Sequence, residues 1–295
     1  MFSCALRQMQ ERARVIQVCF LIGKIMQRLA GKVAIVTGAG HLSNIGFAIC
    51  DAFLREGANV VGTDFREEHA PKIIEQLEAK HGPDKFHYLR HDVTSPSEWA
   101  WVLEQTLTKF GQVDILVNNA GIAIHGGVLS LSLEDMNKVM AVNNDALFLG
   151  MKICAPYLEK ASDRFSGGGS IINNLSMASY MPDANNVAYH VSKAAGRMLT
   201  LCGAVEFAPK KIRVNSVHLG LTMTQIVEGI VDGYVASGVA ESREAAKAKL
   251  GSLALLGRAG MAEEAANVFV YLASEESAFV TAAALQHDGG TGLRY

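Results

Sequence analysis

Tyr189 and Lys193, in the stretch Ala188-Tyr189-His190-Val191-Ser192-Lys193, are the residues whose types and spacing most directly suggest chemistry. Four apart on a helix, a phenol and an ammonium share one face, a turn apart. A phenol ordinarily gives up its proton near pH ~10, and a neighbouring cation lowers that by roughly one to three units. The pair therefore reads as an acid/base group that trades a proton with an alcohol or a carbonyl near neutral pH. A solvated helix face can carry the same spacing, so the pair gains its weight from its company.

That company begins near the N-terminus. An apolar run leads into Thr37-Gly38-Ala39-Gly40-His41-Leu42-Ser43-Asn44-Ile45-Gly46, and a helical pattern follows. Glycines in such a turn let backbone N–H groups approach a pyrophosphate, and the helix N-terminus favours its negative charge. Gly38, Asn44, Ile45 and Gly46 are the expected contacts. The next apolar run ends in Val60-Val61-Gly62-Thr63-Asp64. An acid there accepts hydrogen bonds from both adenosine ribose hydroxyls and repels a 2′-phosphate. Asp64 as a mere cap of the next turn is the plainer reading. NAD is expected ahead of NADP, although Arg66 could reach a phosphate.

Farther along, Asn118-Asn119-Ala120-Gly121 closes another apolar run with small or amide side chains that leave room for a cofactor. Asn143-Asn144-Asp145 then interrupts the otherwise apolar stretch Met140–Met151. Short polar side chains compete with helix hydrogen bonds, so three together call for a bend that frees a carbonyl, or for surface exposure of some of them. Exposure is expected of Asn144 and Asp145.

The elements that must position these groups alternate. Short β-branched runs occur at Val33–Thr37, Asn59–Thr63, Phe86–Arg90, Asp114–Asn118, Ser170–Leu175, Ile212–Val217 and Ala284–His287, with helical periodicity between them at Ile45–Glu56, Ala70–Lys80 and Pro96–Phe110. Ser95-Pro96-Ser97-Glu98 reads as a capping box. Nearly all-apolar strands separated by helices imply an α/β fold, a single-domain Rossmann-type doubly wound parallel sheet of about seven strands with helices on both faces. Ligands in such sheets sit at the carboxyl ends of the strands, where the strand order switches.

Composition narrows the class. The 295 residues are 49% hydrophobic and carry a formal charge of −2, which argues against nucleic acid as the main partner. Five scattered cysteines suit reduced thiols in a cytoplasmic-type compartment, with neither disulfide nor metal site. No apolar run reaches the ~18 residues of a membrane helix. Residues 1–28 differ in character: Arg7, Arg12, Arg14, Lys24 and Arg28 face one acid, Glu11. A mitochondrial-type targeting helix, a docking segment and an extension preceding a true start at Met26 are the competing readings. The last, or a disordered tail, is preferred, with residues 29–295 forming the cofactor-binding catalytic domain.

Taken together, Leu29 to Gly290 resembles the short-chain dehydrogenase/reductase family in its compact single-domain branch. The resemblance is carried by the Thr37-Gly38 loop, Asp92-Val93-Thr94, Asn118 to Gly121, Ser176, Tyr189 with Lys193, Ile212-Arg213-Val214-Asn215-Ser216 and Asp288-Gly289-Gly290. It implies that Tyr189 is the general acid/base and that Lys193 lowers its pKa and holds the nicotinamide ribose. Ser176, thirteen residues before Tyr189 and preferred to Ser179, would hydrogen-bond the substrate oxygen, and Asn143 would bind a water in a proton relay from Lys193. Asp92 and Val93 would flank the adenine, while Thr222 and Thr224 lie where the nicotinamide end is held. A homotetramer or homodimer is implied, and the cofactor carries the hydride.

Three departures stand out. The Gly-rich loop is two residues longer than usual, with Asn44 in place of the second glycine; Leu219 replaces the usual proline; and Ala282 replaces a frequent glycine. The long loop resembles the enoyl reductase branch, but that branch spaces its Tyr and Lys farther apart, so double-bond reduction is the less expected chemistry and NADPH-dependent reduction of a 3-ketoacyl or other carbonyl group is the alternative. NADPH-dependent 3-ketoacyl reduction is opposed by Asp64. A non-catalytic dinucleotide sensor is a reading of another class, and it has no physical need for Asn143, Ser176, Tyr189 and Lys193 together. Substrate choice is expected in Met177–Val187 and in a segment at about 222–251, where Met223, Ile226, Val227, Ile230, Val231, Tyr234 and Val235 recur at near-helical spacing. Such a helix is either a lid over an apolar substrate or a helix packed on the core or a neighbouring subunit. No Arg or Lys lies between Met223 and Ser242, so the expected substrate is an uncharged secondary alcohol or ketone, alicyclic or aromatic.

Overall fold

The computed structural model describes residues 27–293. The expected N-terminal extension, apart from Gln27 and Arg28, lies outside them. Seven strands form one parallel sheet: β1 (Val33–Thr37), β2 (Asn59–Asp64), β3 (Phe86–Arg90), β4 (Ile115–Asn118), β5 (Gly169–Ser176), β6 (Ile212–Leu219) and β7 (Ala284–His287). Their spatial order is β3-β2-β1-β4-β5-β6-β7. The order reverses between β1 and β4, so the crevice at their carboxyl ends is the position where a doubly wound sheet takes its ligand.

Among the described residues, nine helices flank the sheet or lie beside it: α1 (Ile45–Arg55), α2 (Ala70–His81), α3 (Pro96–Phe110), α4 (Leu133–Met140), α5 (Ala146–Leu158), α6 (Val187–Phe207), α7 (Gln225–Ala236), α8 (Arg243–Gly251) and α9 (Ala262–Ala273). Strand alternation divides the apolar side chains between two cores. Ala34, Val36, Val60 and Val117 face Phe53 of α1 and Phe269 of α9 on one side. Ile35, Val61, Leu116 and Val214 face Trp99 of α3, Met151 of α5 and Phe207 of α6 on the other. A third, smaller cluster joins Val227 and Val231 of α7 to Ala246 and Leu250 of α8. Between the last two helices' neighbours, Thr222–Met223 pairs in parallel with Gly260–Met261.

The expected strands and helices stand within one or two residues of their places, and local chemistry explains the differences. Strand β6 runs on to Leu219, which pairs with Ser176 on one side and His287 on the other; a leucine keeps the N–H that proline would remove. The capping box of α3 is only half formed. Ser95 Oγ accepts from the Glu98 N–H at 3.3 Å, but the Glu98 carboxylate accepts from the Asp92 N–H at 2.6 Å and from Arg90 at 2.6 Å. The Ser95 N–H that would complete the box donates instead to the Asp92 carbonyl at 3.0 Å. Ala282 adopts φ 59°, a left-handed conformation that L side chains disfavour, which explains the glycine frequent at that place in the resembling family.

Candidate active site

The helix α6 carries Tyr189 and Lys193 on one face, as their spacing requires. Lys193 is 4% exposed, and its ammonium donates to the Asn174 carbonyl at 3.0 Å. Its Nζ stands 5.5 Å from the Tyr189 ring centre. Ser176, at the end of β5, faces the phenol; its hydroxyl donates to the Leu219 carbonyl at 3.4 Å and accepts from the Ala178 N–H at 3.1 Å. Ser179 is committed elsewhere, its hydroxyl donating to the Lys193 carbonyl at 2.9 Å. The structure therefore brings Ser176, Tyr189 and Lys193 together and leaves Ser179 on the helix backbone.

Charge shifts in this group do not follow the simple expectation. Burial pushes the Tyr189 phenol up, and the facing Ser176 hydroxyl draws it down. Burial also pulls Lys193 down to about 8. Lys193 thus does not by itself depress the phenol, because its ammonium is directed to the Asn174 carbonyl and both groups lose solvent. The two shifts in opposite directions leave a proton-holding phenol beside an ammonium that is easily neutralised.

Asn143 lies in a single π-helical turn, Ala141–Asp145, which joins α4 to α5. A π-turn misaligns the helix ladder and frees backbone groups for other partners. The Asn143 side chain is fully buried and clamps Ile122 from both sides. Its Oδ1 accepts from the Ile122 N–H at 2.8 Å, and its Nδ2 donates to the Ile122 carbonyl at 2.9 Å and to Ser192 Oγ at 3.0 Å. Ser192 in turn donates to the Tyr189 carbonyl at 2.7 Å. Asn143 therefore fastens the segment after β4 to the helix that carries Tyr189. Asp145 is exposed as expected, but Asn144 is half-buried and its Oδ1 is buried without a partner; the π-turn rotates it inward.

A chain of amides leads from Lys193 to the Gly-rich loop. Asn174, whose carbonyl receives the lysine, donates through Nδ2 to Asn119 Oδ1 at 2.7 Å. Asn119 Nδ2 donates to the carbonyls of Thr37 at 2.7 Å and Gly38 at 3.2 Å. Thr37 Oγ1 accepts from the N–H groups of Asn119 at 2.9 Å and Ala120 at 3.0 Å. Gly121 sits directly above this chain: a Cβ there would stand 3.5 Å from Lys193 Nζ and 3.3 Å from Asn143 Oδ1. Thr37, Asn174 and Ser192 were not anticipated from the sequence. The signal for Asn174 was the polar pair Asn173-Asn174 inside an apolar strand.

The dinucleotide cradle has close tolerances. Gly38 has φ 73°, and a Cβ there would come 2.8 Å from Ala120 Cα; one on Gly46 would come 2.2 Å from the Gly38 carbonyl oxygen. Both positions require glycine. Asn44 precedes α1 with no capping bond from its side chain, and its Oδ1 is buried without a partner. The N–H groups of Ile45 and Gly46 open that helix and have no intrahelical acceptor. An orphaned amide oxygen, free helix donors and glycine-only backbone at the switch point fit a dinucleotide pyrophosphate. Asp64 ends β2 beside this loop: Oδ2 accepts from the Gly40 N–H at 2.9 Å and Oδ1 from the Arg66 N–H at 3.0 Å. Each oxygen keeps a lone pair for a ribose hydroxyl.

The outlying expected contacts are partly committed. The Asp92 carboxylate caps its own turn, accepting from the Thr94 N–H at 2.9 Å and hydroxyl at 2.7 Å. Val93 is buried, with its carbonyl taken by Trp99 Nε1 at 2.8 Å. Thr222 is buried and donates to the Gly220 carbonyl at 3.2 Å, whereas Thr224 precedes α7 with no capping bond. His218 lies under the site, its Nδ1 3.2 Å from the Ser176 carbonyl oxygen and its Nε2 3.0 Å from Ser216 Oγ. Burial holds it neutral, down to about 4.

Comparison with known proteins agrees with this geometry. The family model described as enoyl-(acyl carrier protein) reductase matches residues 38–292. The 2,5-dichloro-2,5-cyclohexadiene-1,4-diol dehydrogenase of Sphingobium indicum is 35% identical over 89% of this chain and 97% of its own length. Cyclopentanol dehydrogenase of Comamonas sp. is 33% identical over 90% of this chain and 98% of its own. Among solved structures, a short-chain type dehydrogenase/reductase from Mycobacterium marinum superposes with a TM-score of 0.78 at 31% identity, covering 90% of this chain and 97% of that one. On these matches and on the site just described, the chain belongs to the short-chain dehydrogenase/reductase family, oxidoreductases that move a hydride between a nicotinamide dinucleotide and a carbinol or carbonyl carbon.

Proposed function

We propose that this protein is an NAD-linked dehydrogenase for an uncharged, alicyclic secondary alcohol, with Tyr189 as the proton acceptor in oxidation and the proton donor in ketone reduction. The observation that carries the reading is the Tyr189 phenol, set beside Ser176 and flanked by the buried Lys193 ammonium 5.5 Å from its ring centre. NAD, bound in the Gly38–Gly46 cradle, supplies the hydride acceptor and a fixed positive charge on its ring. Ser176 holds the substrate oxygen against the phenol. In oxidation Tyr189 first loses its phenolic proton through Lys193. As phenolate it then takes the hydroxyl proton while the carbinol carbon gives up its hydride, and the phenol is thereby restored. Lys193 stays an ammonium below about pH 8, and its bond to the Asn174 carbonyl holds it in place beside the phenol as the group that passes the proton on. Asn143 keeps Ile122 and Ser192 in place; a water at its π-turn would return the proton to solvent through Lys193.

Asp64 supports the preference for NAD, since a 2′-phosphate would face its carboxylate. Acidic Glu228 and Asp232 with no cation on α7 support an uncharged substrate. The relatives named for a cyclohexadiene diol and for cyclopentanol support an alicyclic ring. The test follows nicotinamide absorbance with NAD and with NADP against cyclic, aromatic and linear secondary alcohols, with an enoyl thioester and NADH as the contrasting chemistry. The expected result is turnover of cyclic alcohols with NAD ahead of NADP. Reduction of the enoyl thioester with no alcohol oxidised would overturn the proposal.

A further inference from the structure

His218, near the end of β6, carries a fully buried imidazole that the acid/base steps leave unused. Its Nδ1 lies 3.2 Å from the Ser176 carbonyl oxygen, and its Nε2 lies 3.0 Å from Ser216 Oγ. A carbonyl only accepts, so the proton sits on Nδ1 and Nε2 accepts from the Ser216 hydroxyl. The ring also rests on Tyr180, with centres 4.8 Å apart and planes tilted by 52°. We propose that His218 is a positioning residue for Ser176: it holds both ends of the Ser176–Tyr180 turn and so aims the Ser176 hydroxyl at the substrate oxygen. The inference rests on the proposed role of Ser176 and adds the side chain that sets it.

The turn follows β5 directly, with Met177–Ser179 forming a single 3-10 turn after Ser176. The Ser176 hydroxyl is placed by that turn, since it accepts from the Ala178 N–H at 3.1 Å and donates to the Leu219 carbonyl at 3.4 Å. The Ser176 carbonyl shares a rigid peptide plane with Met177, so a tilt of that plane carries the Ala178 N–H and the hydroxyl with it. His218 sets the tilt from the neighbouring strand, where Leu175 pairs with His218 and Ser176 with Leu219. From the other side α6 clasps the same turn. Ser179 Oγ donates to the Lys193 carbonyl at 2.9 Å, and Arg197 Nε donates to the Tyr180 hydroxyl at 3.2 Å. The Arg197 guanidinium also lies 4.9 Å from the Tyr180 ring centre.

A histidine that only filled space here would be replaceable by an apolar residue of its size. The contacts of His218 are more demanding, because a buried ring satisfies both nitrogens at once and an unmatched one would carry a desolvation cost. Burial keeps the ring neutral, down to about 4, so its Nδ1–H remains a donor through the working pH range. His218 therefore orients its neighbour without exchanging a proton in the reaction.

The test follows turnover of a cyclic alcohol with NAD, and NADH binding by fluorescence, in the full chain. The variants are His218→Leu, His218→Asn, His218→Gln, Ser176→Ala, and Ser176→Ala combined with His218→Leu. His218→Leu should lower kcat about tenfold while NADH affinity stays within about twofold. An Asn Nδ2 can stand where the histidine Nδ1 stood, so His218→Asn should recover kcat to within about threefold of the natural sequence. A Gln amide reaches the Nε2 position instead, and His218→Gln should not recover. On a Ser176→Ala background, His218→Leu should cost less than about twofold more, because the residue it acts through is gone. Equal losses in His218→Asn and His218→Gln, additive losses in the double variant, or full turnover in His218→Leu would overturn the assignment and leave Ser176 in its role. Should His218→Leu fail to fold, the Asn and Gln variants decide alone. No turnover by the natural sequence, or full turnover in Ser176→Ala, would overturn the role of Ser176 and this inference with it.

Discussion

The floor of the site and the two-helix segment over residues 222–251 are built in opposite ways. On the floor, buried partners hold Lys193 through the Asn174 carbonyl, Asn143 through Ile122 and Ser192, and Asn119 through Asn174 and the Gly38 loop. Helices α7 and α8 instead share a small apolar cluster of their own, and their mutual ion pairs lie at the surface. Arg243 pairs with both Glu228 and Asp232, and Lys247 lies 3.1 Å from Glu228. Buried hydrogen bonds in low dielectric fix geometry, whereas exposed ion pairs are worth only about 0–1 kcal/mol each. On the proposed function, the difference assigns proton transfer to a site preorganised by the sheet and α6, and substrate selection to a unit that can shift without disturbing it.

The largest expected effect is on the floor. Tyr189→Phe removes the proton acceptor and leaves the ring, so kcat should fall by about 1,000-fold or more while dinucleotide binding persists; a variant retaining a tenth of the turnover would break the contrast at its stronger end. Lys193→Met separates function from stability. A lysine drawn from 10.5 to about 8 binds fewer protons folded than unfolded between those values, so it costs stability at neutral pH and the cost fades as pH rises through that window. The variant should lose most activity and yet melt higher at pH 7, by up to about 3 kcal/mol less the lost bond to Asn174, with the gap closing near pH ~10. A lower melting temperature at pH 7 would contradict this.

On the two-helix side the effects should be smaller and of another kind. Arg243→Ala unfastens α8 from Glu228 and Asp232, and KM for a cyclic alcohol should rise severalfold with kcat within about twofold. An equal loss in kcat would mean that the clasp orders the floor as well. Ala282→Gly should be smallest, adding roughly 0.5–1 kcal/mol by relieving φ 59° without altering kinetics; thermal melts measure it directly.

How much of this was legible in the sequence follows the same division. Strands and helices were readable because apolar runs and caps are local, and the Gly38–Gly46 turn, Asp64 and the α6 pair were readable because their spacing is local too. Asn143 was legible as a polar intrusion in an apolar helix, although the inward turn of Asn144 was not. Thr37, Asn174 and Ser192 escaped because their importance lies in partners 19 to 82 residues away, which no periodicity records. The amphipathic stripe of α7 announced a buried face without saying that α8 would cover it. The Tyr189 shift went the other way from its spacing-based expectation because burial, a tertiary quantity, outweighs a cation directed elsewhere.

The central claim is a hydride leaving a ring carbinol as Tyr189 takes the hydroxyl proton. Cyclopentanol or cyclohexanol deuterated at the carbinol carbon, turned over with NAD, tests it most directly. The account predicts deuterium on the reduced nicotinamide, a primary isotope effect on single-turnover NADH formation, and loss of that transfer in Tyr189→Phe with the dinucleotide still bound. Turnover without deuterium on the nicotinamide, or undiminished transfer in Tyr189→Phe, would contradict it.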